Sequence, residues 1–281
     1  RTPFPIRMGG SPARRPAPAP GFINGYCMQR THTAPQSAPA SRLVQLLQSL
    51  DSKAVRAGHG DFAERLGRLF DLSDAISLDG ATRHTPSGPF TANDDLPEQL
   101  QADLLRTRRA LLDYIGRSFA GEKAASIVAL PPLREDAGAE KRPSFGAYER
   151  FYQAHQRQLI AGLTNLRLRC RRLLAGHSEP LAHLAEIDAV MESSLTAWAR
   201  QGFAALSGVL EQRYRLLWQQ RDPFHTPADW LGPHGWLTQF RRELKMLLLA
   251  ELDARQEPVL GLLAAARDAC PASVNEESPT P

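Results

Sequence analysis

Histidine is the residue type in this sequence best suited to metal binding, but its eight copies show little of the required spacing. His177 and His183 lie six residues apart, which points them to different faces of a helix. His155 lies within a stripe of apolar residues, and no metal-ligand spacing surrounds it. We therefore interpret His155 as a packed histidine and not as a ligand.

A better candidate for a metal or catalytic site is the Pro/Gly-rich segment 222–235. There His225 and His234 flank Asp229, and imidazole and carboxylate groups can bind a metal ion or transfer a proton. No third ligand is placed beside them, so a connecting loop is the favoured interpretation. An enzyme with its site around these three residues is kept as an alternative.

Carboxylates could also act in pairs, and two pairs occur at helical spacing: Asp71 with Asp74, and Asp253 with Glu257. Arginine lies near each pair, so exposed charge along a helix is the commoner explanation. The sequence has no phosphate-binding glycine loop, serine nucleophile elbow or Cys/His catalytic signature. We therefore predict a protein that is not an enzyme and that uses no cofactor or metal.

The cysteines argue against both a disulfide framework and a zinc site. Cys27, Cys170 and Cys270 are odd in number and widely separated. No apolar run approaches the ~18 residues that a membrane-spanning helix needs, and the N-terminus lacks the apolar core of a secretory signal. These features favour a cytoplasmic location.

The most uneven charge lies on one predicted helix, where six arginines face a single Glu149. Such a stripe could bind an acidic protein, anionic lipid or nucleic acid, whereas the plainer interpretation is a solvated helix face. The overall net charge of +4 is too small to demand a polyanionic partner. The candidate interaction face consists of Arg150, Arg157, Arg167, Arg169, Arg171 and Arg172.

Two long amphipathic helices must position these residues. Apolar residues recur at spacings of three or four from Tyr148 to Leu173 and again from Leu181 to Leu217. Ser144 is the predicted N-cap of the first helix, and the segment from Gly176 to Pro180 is the break between the two. A connection this short predicts neighbouring antiparallel helices, either elongated or bent at the glycines of the second, Gly202 and Gly208.

The remaining segments are predicted to pack against this hairpin. The sequence predicts helices over 42–55, 61–78 and about 94–121, with a loop over 79–93 and a mobile linker over 122–143. The last helix, 236–269, should kink or split at Pro258, which lacks an amide donor. Three tryptophans near its start, Trp218, Trp230 and Trp236, should fill the junction with the long pair.

The ends of the chain have compositions that do not favour a core. Residues 1–40 are rich in Pro, and residues 271–281 are polar, so both are predicted to be disordered. Met28 precedes a Thr/Ser/Pro run that leads into the first helix, and we expect translation to start there. The predicted organisation is therefore a disordered segment 1–40, N-terminal helices 41–121, a linker 122–143, a helical hairpin with the final helix over 144–270, and a tail 271–281.

Several helix-face motifs resemble an uncharacterised family of betaproteobacterial and related proteins, classed as a domain of unknown function. They are SRLVQLL at 41–47, FAERLG at 62–67, DAISL at 74–78, GWL at 235–237 and LAELD at 249–253. The resemblance covers about residues 41–268 and carries no known activity or site. It implies neighbouring genes for MotA/TolQ/ExbB-like proton channels and OmpA-like envelope proteins, and hence a cytoplasmic accessory of an envelope machine.

The sequence therefore predicts an all-α protein, an elongated helical bundle built on a long antiparallel hairpin. The predicted function is that of a non-enzymatic scaffold that binds another protein, such as an envelope channel component, or a second copy of itself through the long helices. The first alternative is a nucleic-acid or anionic-surface binder that uses the six-arginine face. The second is the enzyme with a site around His225, Asp229 and His234.

Overall fold

The computed structural model describes residues 41–50, 70–120, 128–133 and 142–270. Within these ranges the chain forms helices and no strand, so the predicted all-α class is confirmed. The segments predicted to be disordered, 1–40 and 271–281, lie outside the described residues. The helices are α1 (Arg42–Leu50), α2 (Leu72–Arg83), α3 (Leu96–Phe119), α4 (Gly146–His177), α5 (Glu179–Ala204), α6 (Leu206–Gln220), α7 (Pro227–Trp230) and α8 (Trp236–Ala269).

The predicted antiparallel hairpin is formed by α4 and α5, which Ser178 alone separates. Cross-helix contacts join residues at similar distances from this turn: Arg167 pairs with Asp188, and the Gln156 side chain donates to the Phe203 carbonyl. Gly176 is not a left-handed cap, because the helix continues through it to His177. The carbonyl of Gly176 instead accepts a hydrogen bond from the backbone of Thr91.

The second long helix is interrupted close to the two glycines at which a bend was one of the two predicted alternatives. α5 ends at Ala204 and α6 begins at Leu206, between Gly202 and Gly208. Ser144 is not the N-cap of α4, since the helix begins at Gly146 and Phe145 occupies the cap position. The Ser144 hydroxyl still accepts a hydrogen bond from the Gly146 amide at 3.3 Å.

The helix α8 lies at the centre of the described fold. It packs against α1 and against α3 to α7, so α2 is the one described helix that it does not contact. Of the predicted kink or split at Pro258, the split is wrong: α8 runs unbroken from Trp236 to Ala269. Pro258 is exposed, so water can bind the carbonyl that loses its helical partner.

Aromatic residues fill the junction between α6, α7 and α8, as predicted. The rings of Trp218, Trp230 and Trp236 are mutually in contact, with centroids 5.3 to 5.8 Å apart. Trp236 also packs on Tyr214, which in turn packs on Tyr148 of α4. The start of α8 is thereby fixed to the beginning of α4.

The N-terminal helices differ from the prediction in their bounds. Ser41 caps α1 by accepting a hydrogen bond from the Val44 amide, and residues 51–69 lie outside the described part of the chain. α2 starts at Leu72 and continues to Arg83, so the predicted loop over 79–93 is wrong at its start. A reciprocal capping box, in which Asp71 and Asp74 each accept from the other's amide, sets the start of α2 at Leu72.

The described part of the predicted linker packs on the core. Leu130 and Leu133 contact the hydrophobic core, and the Pro131 carbonyl accepts a hydrogen bond from the Arg241 guanidinium at 2.6 Å. The rest of residues 121–141 is outside the described ranges. None of the described helices combines the length and the apolar character needed to cross a bilayer.

Candidate interaction surfaces

The six arginines of the candidate interaction face do not share one surface. Arg167 and Arg171 turn towards α5, where they form ion pairs with Asp188 and Glu192 at 2.6 to 3.6 Å. Arg169 lies on the opposite flank and pairs with Asp103 of α3 at 3.6 Å. Half of the set therefore holds α4 against its neighbours.

The other three arginines, Arg150, Arg157 and Arg172, are exposed. Their spacing places them on the solvent-facing side of α4, and among the described residues none of them has an ion-pair partner. Leu168 lies on the same side and is also exposed. The sequence could not separate the two groups, because the flanking carboxylates come from α3 and α5.

Two buried carboxylates of α8 are features that the sequence reasoning missed. Glu251 is fully buried and accepts hydrogen bonds from the Tyr152 hydroxyl at 2.5 Å, from Gln156 and from Arg255. Burial, together with the Glu251 carboxylate, raises the pKa of Tyr152 well above its ordinary value. The sequence did contain a signal for the burial of Glu251: it lies within the apolar stripe of the last helix, directly before Leu252.

The second buried carboxylate is Glu243, which forms a bidentate pair with Arg213 of α6 at 2.7 Å. The Gln239 side chain donates to the same carboxylate. With these partners both oxygens are satisfied, as a buried charge requires. These two carboxylates join α8 to α4 and α6 and present no free group to a ligand.

The predicted packing of His155 is confirmed. Its side chain is fully buried, with Nδ1 2.8 Å from the Phe151 carbonyl oxygen and Nε2 2.8 Å from the Ser118 hydroxyl. Because the carbonyl can only accept, Nδ1 donates the hydrogen bond. Burial lowers the pKa of His155, which favours the neutral ring.

A histidine and a cysteine meet at the hairpin turn. Nε2 of His177 lies 3.4 Å from the Cys270 sulfur, and Nδ1 is buried without a hydrogen-bond partner in the structure. Burial, with Asp94 and Glu98 nearby, raises the pKa of the Cys270 thiol. Burial also raises the pKa of Cys170, to about 11, so neither thiol is activated as a nucleophile.

In the segment 222–235 the candidate residue Asp229 serves as part of a helix cap. Asp229 accepts hydrogen bonds from the amide and hydroxyl of Thr226, which starts α7 with a capping box. These bonds lower the pKa of Asp229. His225 lies 3.7 Å from Asp222, and His234 is exposed. Across the described ranges, no three His, Cys, Asp or Glu side chains converge as a metal site.

The two candidate carboxylate pairs also have structural partners. Asp71 and Asp74 form the capping box of α2. Asp253 pairs with Arg108 of α3 at 2.7 Å and with Arg42 of α1 at 3.2 Å, so the expected exposed charge along one helix is wrong for this residue. The sequence could not place these partners because they lie more than a hundred residues away.

Two helical stretches have no buried residue. We use the term outer pair for α2 together with residues 190–204 of α5. α2 packs against α5 and against no other described helix. Leu72 is 78% exposed, Ile76 64% and Trp198 48%. The outer pair therefore presents large apolar side chains to solvent.

A groove of about 560 Å³ lies where the chain at 86–90 crosses α4 and α5 near their turn. Small side chains form much of its lining, among them Ala182, Ala185 and Ala189, with Leu168 and Phe90 beside them. Arg172 lies at its edge. We call this feature the alanine groove.

The comparisons with known proteins identify a family and give no activity. The family model described as "Protein of unknown function (DUF3348)" matches residues 28–268. No match was found among curated proteins, and none among solved structures. The family match covers most of the chain, from before α1 to the last but one residue of α8. The chain therefore belongs to the DUF3348 family, an uncharacterised domain family.

Proposed function

We propose that this protein is a non-enzymatic scaffold that binds another protein through the outer pair. The observation that carries the proposal is that this region contains large apolar side chains and leaves them exposed. Leu72, Ile76 and Trp198 are large and apolar, yet no residue of the outer pair is buried. Large apolar side chains left exposed along helices are typical of a surface that a partner covers.

The outer pair has the spacing that suits a helical partner. Met191, Leu195 and Trp198 recur at four and three residues along α5, which places them on one side of the helix. An amphipathic helix of the partner could lie along this stripe, since helices bind grooves and faces through anchors at this period. Trp198 is the expected anchor, because tryptophan is enriched among residues that dominate interface energies.

The first alternative, a nucleic-acid or anionic-surface binder, has less support. Arg167, Arg169 and Arg171 form ion pairs with neighbouring helices, and only Arg150, Arg157 and Arg172 of the six project freely. Affinity for a polyanion depends on how many phosphates the protein neutralises, so three separated charges favour weak binding at most. The enzyme alternative also has less support, because Asp229 is engaged by Thr226.

The resemblance in the sequence selects the first partner to test. If the gene lies beside those of MotA/TolQ/ExbB-like channels, the partner is a cytoplasmic segment of such a channel. We propose a cytoplasmic location for the scaffold on the same grounds.

The experiment is quantitative affinity purification from native cells with the full chain and two variants. One variant carries Leu72→Ser, Ile76→Ser and Trp198→Ser, which removes the exposed apolar groups of the outer pair. The matched control carries Leu105→Ser and Met246→Ser, because these side chains are also exposed but lie on α3 and α8. Circular dichroism and thermal melting establish that both variants fold.

We expect one protein to be recovered at wild-type level by the control and to be lost with the outer-pair variant. Recombinant copies of that protein should then bind the wild-type chain directly. Equal recovery by the two variants would contradict the proposal. Recovery of RNA or DNA, sensitive to charge reversal at Arg150, Arg157 and Arg172, would favour the polyanion-binding alternative.

A further inference from the structure

The loop between α6 and α8 holds one phenylalanine almost completely in solvent. Phe224 is 90% exposed, the highest value among the large apolar side chains that the structure describes. An isolated phenylalanine that is exposed to this degree gives up the burial that stabilises most phenylalanine side chains. A partner surface that covered this ring would therefore gain the free energy of its burial.

The segment around Phe224 is well ordered by its own hydrogen bonds. The Asp222 carboxylate accepts from the Phe224 amide at 2.9 Å, and the Asp222 carbonyl accepts from the His225 amide. Next, the capping box of Thr226 and Asp229 starts α7, which places Trp230 in the core. Phe224 is thus presented by a preorganised turn, and such a turn loses little conformational entropy on binding.

The charge around Phe224 indicates what kind of pocket would receive it. Segment 222–235 contains two carboxylates, Asp222 and Asp229, and no lysine or arginine; Arg221, which directly precedes it, stacks on the Trp218 ring at 3.4 Å. Both carboxylates are exposed. A complementary surface would be an apolar depression with a basic edge, whereas an anionic membrane would repel these groups.

The alanine groove on the same chain has this character. Its lining is largely apolar, and its volume of about 560 Å³ leaves room for an aromatic side chain. Two of its charged residues already have partners: Arg171 pairs with Glu192 at 2.6 Å, and Glu186 lies 2.7 Å from His84. Arg172 is exposed and has no ion pair among the described residues, so it is available to a carboxylate.

One molecule cannot fill its own groove with its own Phe224. The Trp230–Trp236–Tyr214–Tyr148 contacts fix the loop beside the first turn of α4. The groove begins at Leu168, twenty residues further along the same helix, which corresponds to roughly 30 Å. The receiving groove must belong to another molecule.

We infer that a second copy of this chain inserts Phe224 into the alanine groove, with Asp222 directed towards Arg172. The contact joins two different surfaces, so each molecule can bind one neighbour through its loop and another through its groove. Contacts of this heterologous type generate rings or open chains. The inference goes beyond the proposed function, because neither surface includes the outer pair.

The test is sedimentation velocity with the full chain over a range of concentrations. The loop variant is Phe224→Ser, and the groove variant is Arg172→Glu. Wild-type protein should associate as concentration rises, and each variant alone should remain monomeric. An equimolar mixture of the two should form dimers and nothing larger, because the mixture contains one intact loop and one intact groove per pair.

Matched controls separate this contact from the outer pair and from general surface effects. Leu105→Ser and Arg157→Glu change equally exposed groups elsewhere and should leave the association unchanged. The outer-pair triple variant should also associate like wild type. Wild-type protein that stays monomeric at all attainable concentrations, or a mixture of loop and groove variants that fails to dimerise, would overturn the inference. Association lost only in the outer-pair variant would overturn it too.

Discussion

The helix α8 and the outer pair are both well-formed helical regions, yet they relate to the core in opposite ways. α8 contacts every described helix except α2 and buries apolar side chains along its whole length. The outer pair buries none, although Phe203 at its end is partly buried against the core. α2 nevertheless has a complete capping box. The comparison shows that local signals can define a helix whose side chains take no part in the core, which leaves its surface available to a partner.

The largest expected difference between the two regions concerns apolar truncation. Phe240 of α8 is fully buried and packs on the rings of Tyr148 and Tyr214, so Phe240→Ala should lower the free energy of unfolding by about 3–5 kcal/mol. Ile76→Ala in the outer pair should change it by less than about 0.5 kcal/mol, since the side chain is already in water. Urea denaturation of both variants measures the contrast. A loss above about 1 kcal/mol for Ile76→Ala would show that the outer pair belongs to the core.

Two glycine substitutions should change the stability of the fold by smaller amounts and in opposite directions. A Cβ at Gly235, the N-cap of α8, would collide with the Trp230 carbonyl oxygen, so Gly235→Ala should destabilise the fold by about 1–3 kcal/mol. Gly202 lies within α5 with no atom near the position of a Cβ. Gly202→Ala should therefore stabilise the fold by about 0.5–1 kcal/mol. Thermal melting checks both signs, and destabilisation by Gly202→Ala would contradict the account of the outer pair.

The smallest predicted effect is a pH dependence that originates in the core. Burial lowers the pKa of His155 below its ordinary value of ~6.5, so below pH ~6.5 the unfolded chain binds a proton that the folded chain does not. The free energy of unfolding should therefore fall as the pH falls through this window towards the folded pKa. His155→Gln should remove that part of the slope. Denaturation curves of wild type and variant at several values between pH 5 and 8 test this, and parallel pH profiles would contradict it.

Much of the core could be predicted from the sequence because it depends on local periodicity. The spacing of Tyr148, Leu159 and Leu166 fixed one face of α4, and all three are buried. Trp218, Trp230 and Trp236 were correctly expected to meet, since they flank one short connection. The buried state of His155 followed from its place in the same stripe.

The interaction surfaces could not be predicted in the same way, because they depend on which helices become neighbours. Arg167 and Arg172 look alike in sequence, but Asp188 of α5 neutralises only the first. Glu251 could not be assigned its partners, because Tyr152 lies 99 residues away in the chain. The exposure of Phe224 also depends on a turn whose stability comes from Asp222 and from the buried tryptophans behind it.

Native-state amide hydrogen exchange of the full chain tests most directly the central claim that the outer pair contributes surface and not core. Helices with few buried contacts open at a lower free energy than those at the centre of a fold. We predict that amides of α2 and of residues 190–204 exchange through local opening, well before those of Phe240 to Leu252 in α8. Equal protection of the two regions in the isolated protein would contradict the account.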